Sequence, residues 1–132
     1  MPKKINVIYV DDETDLLKLV KIFLEKNDDI SVRTISSIKE ALELLKKEYL
    51  LIDVIISDYQ MPGMGIIKFL EHIRNFKIPL IIFTGKSREE ITIEAIDNET
   101  IFYFQKGGDP ISQYSKLADK IRQAANTKNL NP

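Results

Sequence analysis

Five short apolar runs, each followed by a stretch of helical periodicity, constrain this 132-residue chain more than any other feature. Residues 5–10 are largely β-branched and apolar on both faces after Asn6, as expected of a strand covered on both sides in a parallel sheet. Residues 30–35 alternate, residues 53–57 form another buried run, Pro79 opens a fourth at 80–83, and residues 101–104 make the last. Between them the apolar period changes to three and four. Leu16, Leu17, Val20, Phe23 and Leu24 follow Thr14, read as a cap; Ser37 with Glu40 forms a capping-box pattern ahead of Leu42 and Leu45. Ile67, Leu70, Ile73 and Arg74 fit a third helix, and Ser87 with Glu90 repeats the capping box before Ile91, Ala95 and Ile96. Asp109 and Pro110 sit as N-cap and first helical residue of a helix whose buried stripe reads Ile111, Tyr114, Leu117, Ala118, Ile121 and Ala125. Five strands alternating with five helices on short connections predict an α/β fold, a doubly wound parallel sheet with helices on both faces. A single domain over residues 1–126 is expected, with 127–132 as a polar, frayed C-terminal tail.

Composition removes several function classes. Acidic and basic residues nearly cancel, to a net charge of −1, so direct nucleic-acid binding is not expected. Without cysteine there is neither a disulfide framework nor a thiolate metal site. The opening MPKKINVIYV is too short to span a membrane and runs straight into Asp11, so a cytoplasmic protein is expected.

The chemistry gathers at the ends of the strands. Asp11 and Asp12 close the first run, Asp58 the third, Thr84 the fourth, and Lys106 follows the fifth. In a parallel sheet these side chains emerge at one carboxyl edge, where open α/β sheets place their binding crevices. Alone, the Asp11–Asp12 pair is a polar turn, Thr84 a turn cap before Gly85, and Lys106 a solvated strand end. Together they make a different object. Converging carboxylates raise one another's pKa unless a cation offsets them, and oxygen donors without His or Cys favour a hard ion such as Mg2+. Lys106 then supplies a compact cation, and Thr84 a hydroxyl donor, for the oxygens of a transferring phosphoryl group. An Asp nucleophile with metal, Lys and Thr around it suits in-line phosphoryl transfer.

The ordered set VDDE, SDYQMP, FTG and YFQKG resembles the receiver domain of two-component response regulators, from Ile5 to about Ala125. That resemblance implies a CheY-like, flavodoxin-like (βα)5 three-layer sandwich with sheet order 2-1-3-4-5. It implies Asp58 as phosphoacceptor, Asp12 as a direct Mg2+ ligand, Asp11 as a ligand through water, and the Gln60 carbonyl as a further ligand. Thr84 and Lys106 would bind phosphoryl oxygens, Tyr103 would be the aromatic that turns inward on activation, and Gln60 and Lys86 would flank the site where phosphoryl lifetime is tuned. Tyr103 also reads as an ordinary edge-strand aromatic. Two departures stand out. Gly65-Ile66 replaces the family's usual Asp-Gly, removing a cap for the third helix, and Gly107-Gly108 replaces the proline that usually follows the lysine in a cis peptide. A glycine there predicts a trans bond and a more permissive loop.

The expected partners are a sensor histidine kinase or phosphotransfer protein and a downstream protein reading residues 87–125, with a homodimer as a further option. A signalling receiver rather than an enzyme is expected, its output carried by binding since no effector domain follows in the chain. His72, flanked by Glu71 and Arg74, reads as surface rather than phosphodonor. A Mg2+-dependent aspartyl phosphatase would need its nucleophile in an Asp-x-Asp motif after the first strand, where VDDE stands, and a flavodoxin-like cofactor site would be repelled by the same acids. A degenerate, unphosphorylated interaction module remains the main rival.

Overall fold

The computed structural model describes residues 4–60, 65–91 and 100–130, with side chains to residue 127. The chain runs β1 (Ile5–Val10), α1 (Thr14–Leu24), β2 (Ile30–Ile35), α2 (Ile38–Glu48), β3 (Val54–Ser57), α3 (Ile66–Ile73), β4 (Leu80–Thr84), β5 (Ile101–Gln105) and α4 (Pro110–Leu130). The five strands form one sheet in the order β2-β1-β3-β4-β5, every neighbouring pair parallel. The helix expected after Ser87 falls, beyond Ile91, outside the described residues. Ahead of it the Ser87–Glu90 pairing is present: the Glu90 carboxylate accepts from the Ser87 N–H at 2.9 Å and its hydroxyl at 3.0 Å, around a single 3-10 turn.

Period-two alternation sends the strand side chains into two separate cores. Ile8, Val10, Ile55 and Ile82 pack under α2 and α3 with Ala41, Leu45, Phe69 and Ile73. Val7, Tyr9, Ile56, Ile81 and Phe83 pack on the other face with Leu17 and Val20 of α1 and Leu117 and Ile121 of α4. Each such large side chain contributes about 1.5–3 kcal/mol by leaving water. The side chain of Arg122 holds α4 to the α1–β2 turn, donating to Asp29 at 2.8 and 3.0 Å and to Asn27 at 2.9 Å. A stack of Phe23 on Tyr114, 4.8 Å between ring centroids, seals the same seam.

Sheet edges leave backbone groups unpaired, and β2 is an edge. Its Val32 is covered from α1: Glu25 accepts the Val32 N–H at 2.9 Å and Lys21 donates to the Val32 carbonyl at 2.5 Å. Lys21 and Glu25 are themselves paired at 3.2 Å, one helical turn apart.

Several local expectations shift. Thr14 is the first residue of α1 rather than its cap; Glu13 holds the cap position without a side-chain bond, and Asp11 instead accepts the Glu13 N–H at 3.1 Å. Ser37 does cap α2, accepting the Glu40 N–H at 3.2 Å. In α3 the buried face is Ile66, Phe69 and Ile73; of the expected stripe Ile73 is buried and Leu70 packs partly buried against the same core, whereas Ile67 is 55% exposed and its place is taken by Ile66. Ile111 is 72% exposed because the first turn of α4 precedes the part lying on the sheet. Asp109 caps that helix as expected, accepting the Ser112 N–H at 3.0 Å, and the helix runs through Leu130, into the residues from 127 expected as a frayed tail.

Candidate functional site

Parallel pairing in register brings the strand ends level. Val10 lies opposite both Ile35 and Ser57, and Thr84 opposite Gln105. The ladder then extends by one bond on several strands, with Asp58 N–H to the Val10 carbonyl at 3.3 Å and Lys106 N–H to the Thr84 carbonyl at 2.7 Å. Asp11, Asp12, Asp58, Thr84 and Lys106 therefore stand on one edge, as the strand-end reading required.

Asp11 is fully buried. Its Oδ2 accepts from the Tyr9 hydroxyl at 2.8 Å and from Lys106 Nζ at 3.4 Å, and its Oδ1 accepts the Glu13 N–H. Burial, followed by the charge of Asp11 and the hydrogen bond to it, pushes the Tyr9 hydroxyl far above the ordinary phenol range, which keeps it a donor. Lys106 Nζ also lies 3.8 Å from Asp58 Oδ2, so one ammonium bridges two carboxylates from different strands. The same ammonium sits 5.2 Å from the centre of the Phe83 ring, whose face favours a cation.

Asp58 is half-buried, with 17% of its side chain exposed. Desolvation raises its pKa; Lys106 pulls the other way, Asp11 adds to the rise, and the backbone N–H groups of Gln60 and Tyr59 favour the ionised form. The net direction is up. Asp12, by contrast, is exposed. Ligand oxygens of Asp11, Asp12 and Asp58 all lie within 4.8 Å of one another. A purely carboxylate donor set of this span fits a hard divalent cation and suits neither a soft metal nor a structural zinc.

Around this cluster stand the remaining expected residues. Thr84 is buried, and its Oγ1 accepts the Lys86 N–H at 3.2 Å, leaving the hydroxyl proton free to be donated. Lys86 places its Nζ 5.9 Å from the centre of the Tyr59 ring, next to Asp58 in sequence. Tyr103 packs partly buried against the α2/α3 core and donates its hydroxyl to the Lys86 carbonyl at 2.6 Å, so β5 and the loop after Thr84 are tied together. Gln60 is exposed beside the cluster; the loop that continues it, residues 61–64, is outside the described residues. Gly65 occupies the N-cap of α3 with no side-chain bond, as its sequence predicts. The bond after Lys106 is trans, and Gly107 and Gly108 take φ of 139° and 83°. His72 is exposed on α3.

Sequence reasoning missed Tyr9. The signal was present, since residue i−2 in a strand shares its side with residue i, and a hydroxyl inside an otherwise aliphatic strand needs a partner.

Residues 7–118 match the family model described as the response regulator receiver domain. Among curated proteins the chain is 32% identical over 123 residues to a protein-glutamate methylesterase/protein-glutamine glutaminase of Methanococcus maripaludis, covering 89% of this chain and 33% of that protein. It is 29% identical to the Arabidopsis thaliana two-component response regulator ARR11, covering 80% of this chain and 20% of that protein. The chain thus spans about a third or less of these relatives. Among solved structures, a response regulator receiver domain protein from Clostridium thermocellum superposes with a TM-score of 0.80 at 29% identity, covering 96% of this chain and 98% of that one. A CheY-like receiver protein from Methanospirillum hungatei gives 0.79 at 20% identity, covering 98% and 100%, which speaks for the fold alone. The five-stranded 2-1-3-4-5 sheet is the CheY-like flavodoxin fold, and the chain belongs to the response regulator receiver domain family of two-component systems.

Proposed function

We propose that the chain accepts a phosphoryl group on Asp58 from a phosphohistidine of a sensor kinase or phosphotransfer protein, or from a small donor such as acetyl phosphate. The observation that carries this reading is the ammonium of Lys106 held between Asp11 and Asp58, 3.4 and 3.8 Å away, inside a three-carboxylate cluster. A carboxylate oxygen of Asp58 forms the new P–O bond as the P–N bond to the imidazole breaks, the nitrogen leaving with the electron pair. Asp11, Asp12, Asp58 and the carbonyl of Gln60 would hold Mg2+, which supplies positive charge for the phosphoryl oxygens when bound. Lys106 moves from its carboxylates to a phosphoryl oxygen, and Thr84 donates its hydroxyl to another. Thr84 and Tyr103 both engage Lys86, through its N–H and its carbonyl, so a shift of Thr84 is felt at Tyr103, and residues 87–125 would carry the output. Gln60 and Lys86 would govern water access, hence phosphoryl lifetime. The unit over residues 1–126 acts as a signalling receiver, in the cytoplasm, that switches a protein-interaction surface.

Intact mass after incubation with acetyl phosphate and Mg2+ tests this. The expected outcome is one added phosphoryl group on the wild type and none on Asp58→Asn; an unlabelled wild type overturns the reading in favour of a degenerate interaction module. Sustained release of phosphate from a phosphomonoester would favour a phosphatase instead.

A further inference from the structure

The loop after Lys106 has no side chain of its own to stiffen it. Gly107 and Gly108 take φ of 139° and 83°, in the region that L side chains rarely adopt, and a Cβ on either would meet nothing within 4 Å. Backbone conformation, not crowding, therefore selects glycine at these positions. A free Gly-Gly hinge beside the bridging ammonium would let Lys106 wander, yet the backbone around it is pinned from both sides. On its N-terminal side the Lys106 N–H donates to the Thr84 carbonyl at 2.7 Å. On its C-terminal side the Gly107 N–H donates to the side-chain Oε1 of Gln113 at 2.5 Å. These two bonds restrain the peptide planes flanking the lysine Cα, hence its φ and ψ.

Gln113 is in turn a rigid anchor. It lies in the first turn of α4, where its own N–H donates to the Asp109 carbonyl at 2.8 Å and the Asp109 side chain accepts the Ser112 N–H. Its neighbour Tyr114 is buried and stacked on Phe23 of α1. The helix end is thus fastened to the body of the protein before it reaches the glycine loop.

We propose that Gln113 is a positioning residue for the phosphoryl site: its side-chain carbonyl, by holding the Gly107 N–H, fixes where the Lys106 ammonium stands. This rests on the phosphoacceptor reading above. Gln113 touches neither the acids nor the ammonium, so its loss is felt in capture of the phosphoryl group and not in binding of the metal.

Two variants separate this from a merely structural role. Gln113→Leu keeps bulk and removes the acceptor; Gln113→Glu keeps an acceptor oxygen at the same reach. Binding of beryllofluoride in the presence of Mg2+, and of Mg2+ alone, is measured by calorimetry at a salt concentration that screens the added charge. Gln113→Leu is expected to bind beryllofluoride about fivefold more weakly, the worth of one ordinary hydrogen bond. Its Mg2+ affinity stays unchanged, and Gln113→Glu returns beryllofluoride binding toward wild type. Amide exchange gives a readout independent of ligand: the Gly107 N–H is protected in the wild type and Gln113→Glu and exchanges freely in Gln113→Leu. Wild-type beryllofluoride affinity in Gln113→Leu, an equal loss in Gln113→Glu, or a Gly107 N–H unprotected in the wild type would each overturn the proposal. A wild type that binds Mg2+ but no beryllofluoride sinks the phosphoacceptor reading itself, and this inference with it.

Discussion

Burial opposes ionisation of Asp58 and outweighs the help it receives from Lys106 and two backbone N–H groups. A carboxyl whose pKa is raised in the folded state favours folding while protonated, and that contribution is lost as pH climbs through the raised value. Without divalent metal, Asp58→Asn is therefore expected to be more stable than the wild type at neutral pH. The advantage fades as pH falls through the raised value and is gone below the ordinary carboxylate value of 3.8, where both side chains are neutral. Urea midpoints across pH in a chelating buffer check this, and equal midpoints at neutral pH would contradict it. The acids, Thr84 and Lys106 were legible because each ends an apolar run, and register does the rest. Tyr9 and Gln113 were not, because each acts through side-chain hydrogen bonds whose partners are defined only once the chain has folded.

At the scale of single elements, helix phase was the weakest part of the sequence reading. An eight-residue helix such as α3 completes barely two turns, and adjacent isoleucines at 66 and 67 permit either of two apolar stripes. Gly65 marks the start by default, without a capping side chain to fix the phase. The sheet decides: Ile66 is 5% exposed and Ile67 is 55% exposed. Ile66→Ala is expected to cost about 2–5 kcal/mol, by transfer and cavity together, whereas Ile67→Ala stays within about 0.5 kcal/mol. Urea denaturation of the two variants distinguishes the faces, and comparable losses would mean that α3 packs otherwise. Long elements with explicit caps were read more safely. Asp109 with Pro110 marked the start of α4, while its extension to Leu130 carries no apolar signal that could have announced it.

Across the whole molecule, the two cores lie on opposite faces of one sheet, and the acidic cluster stands at the sheet edge between them. A ligand bound there holds β1 and β3 together through Asp11, Asp12 and Asp58. Mg2+ at a hundred times its dissociation constant is expected to add about 2.7 kcal/mol to unfolding stability, and Asp58→Asn to blunt that gain. Thermal or urea unfolding with Mg2+ against a monovalent salt of equal ionic strength measures it; no gain would mean that the acids do not bind the ion in the native state. Alternating patterns revealed the layers and the strand order followed from family resemblance, whereas side-chain bonds across the edges had no sequence signature. The covering of β2 by Lys21 and Glu25 is one such bond pair, and it has a bearing on behaviour in a crowded cell. With the N–H and carbonyl of Val32 taken by its own helix, the middle of that strand is a poor template for cross-β growth. A regulator docking across Val32 would have to read side chains there or displace Lys21 and Glu25 before it could extend the sheet.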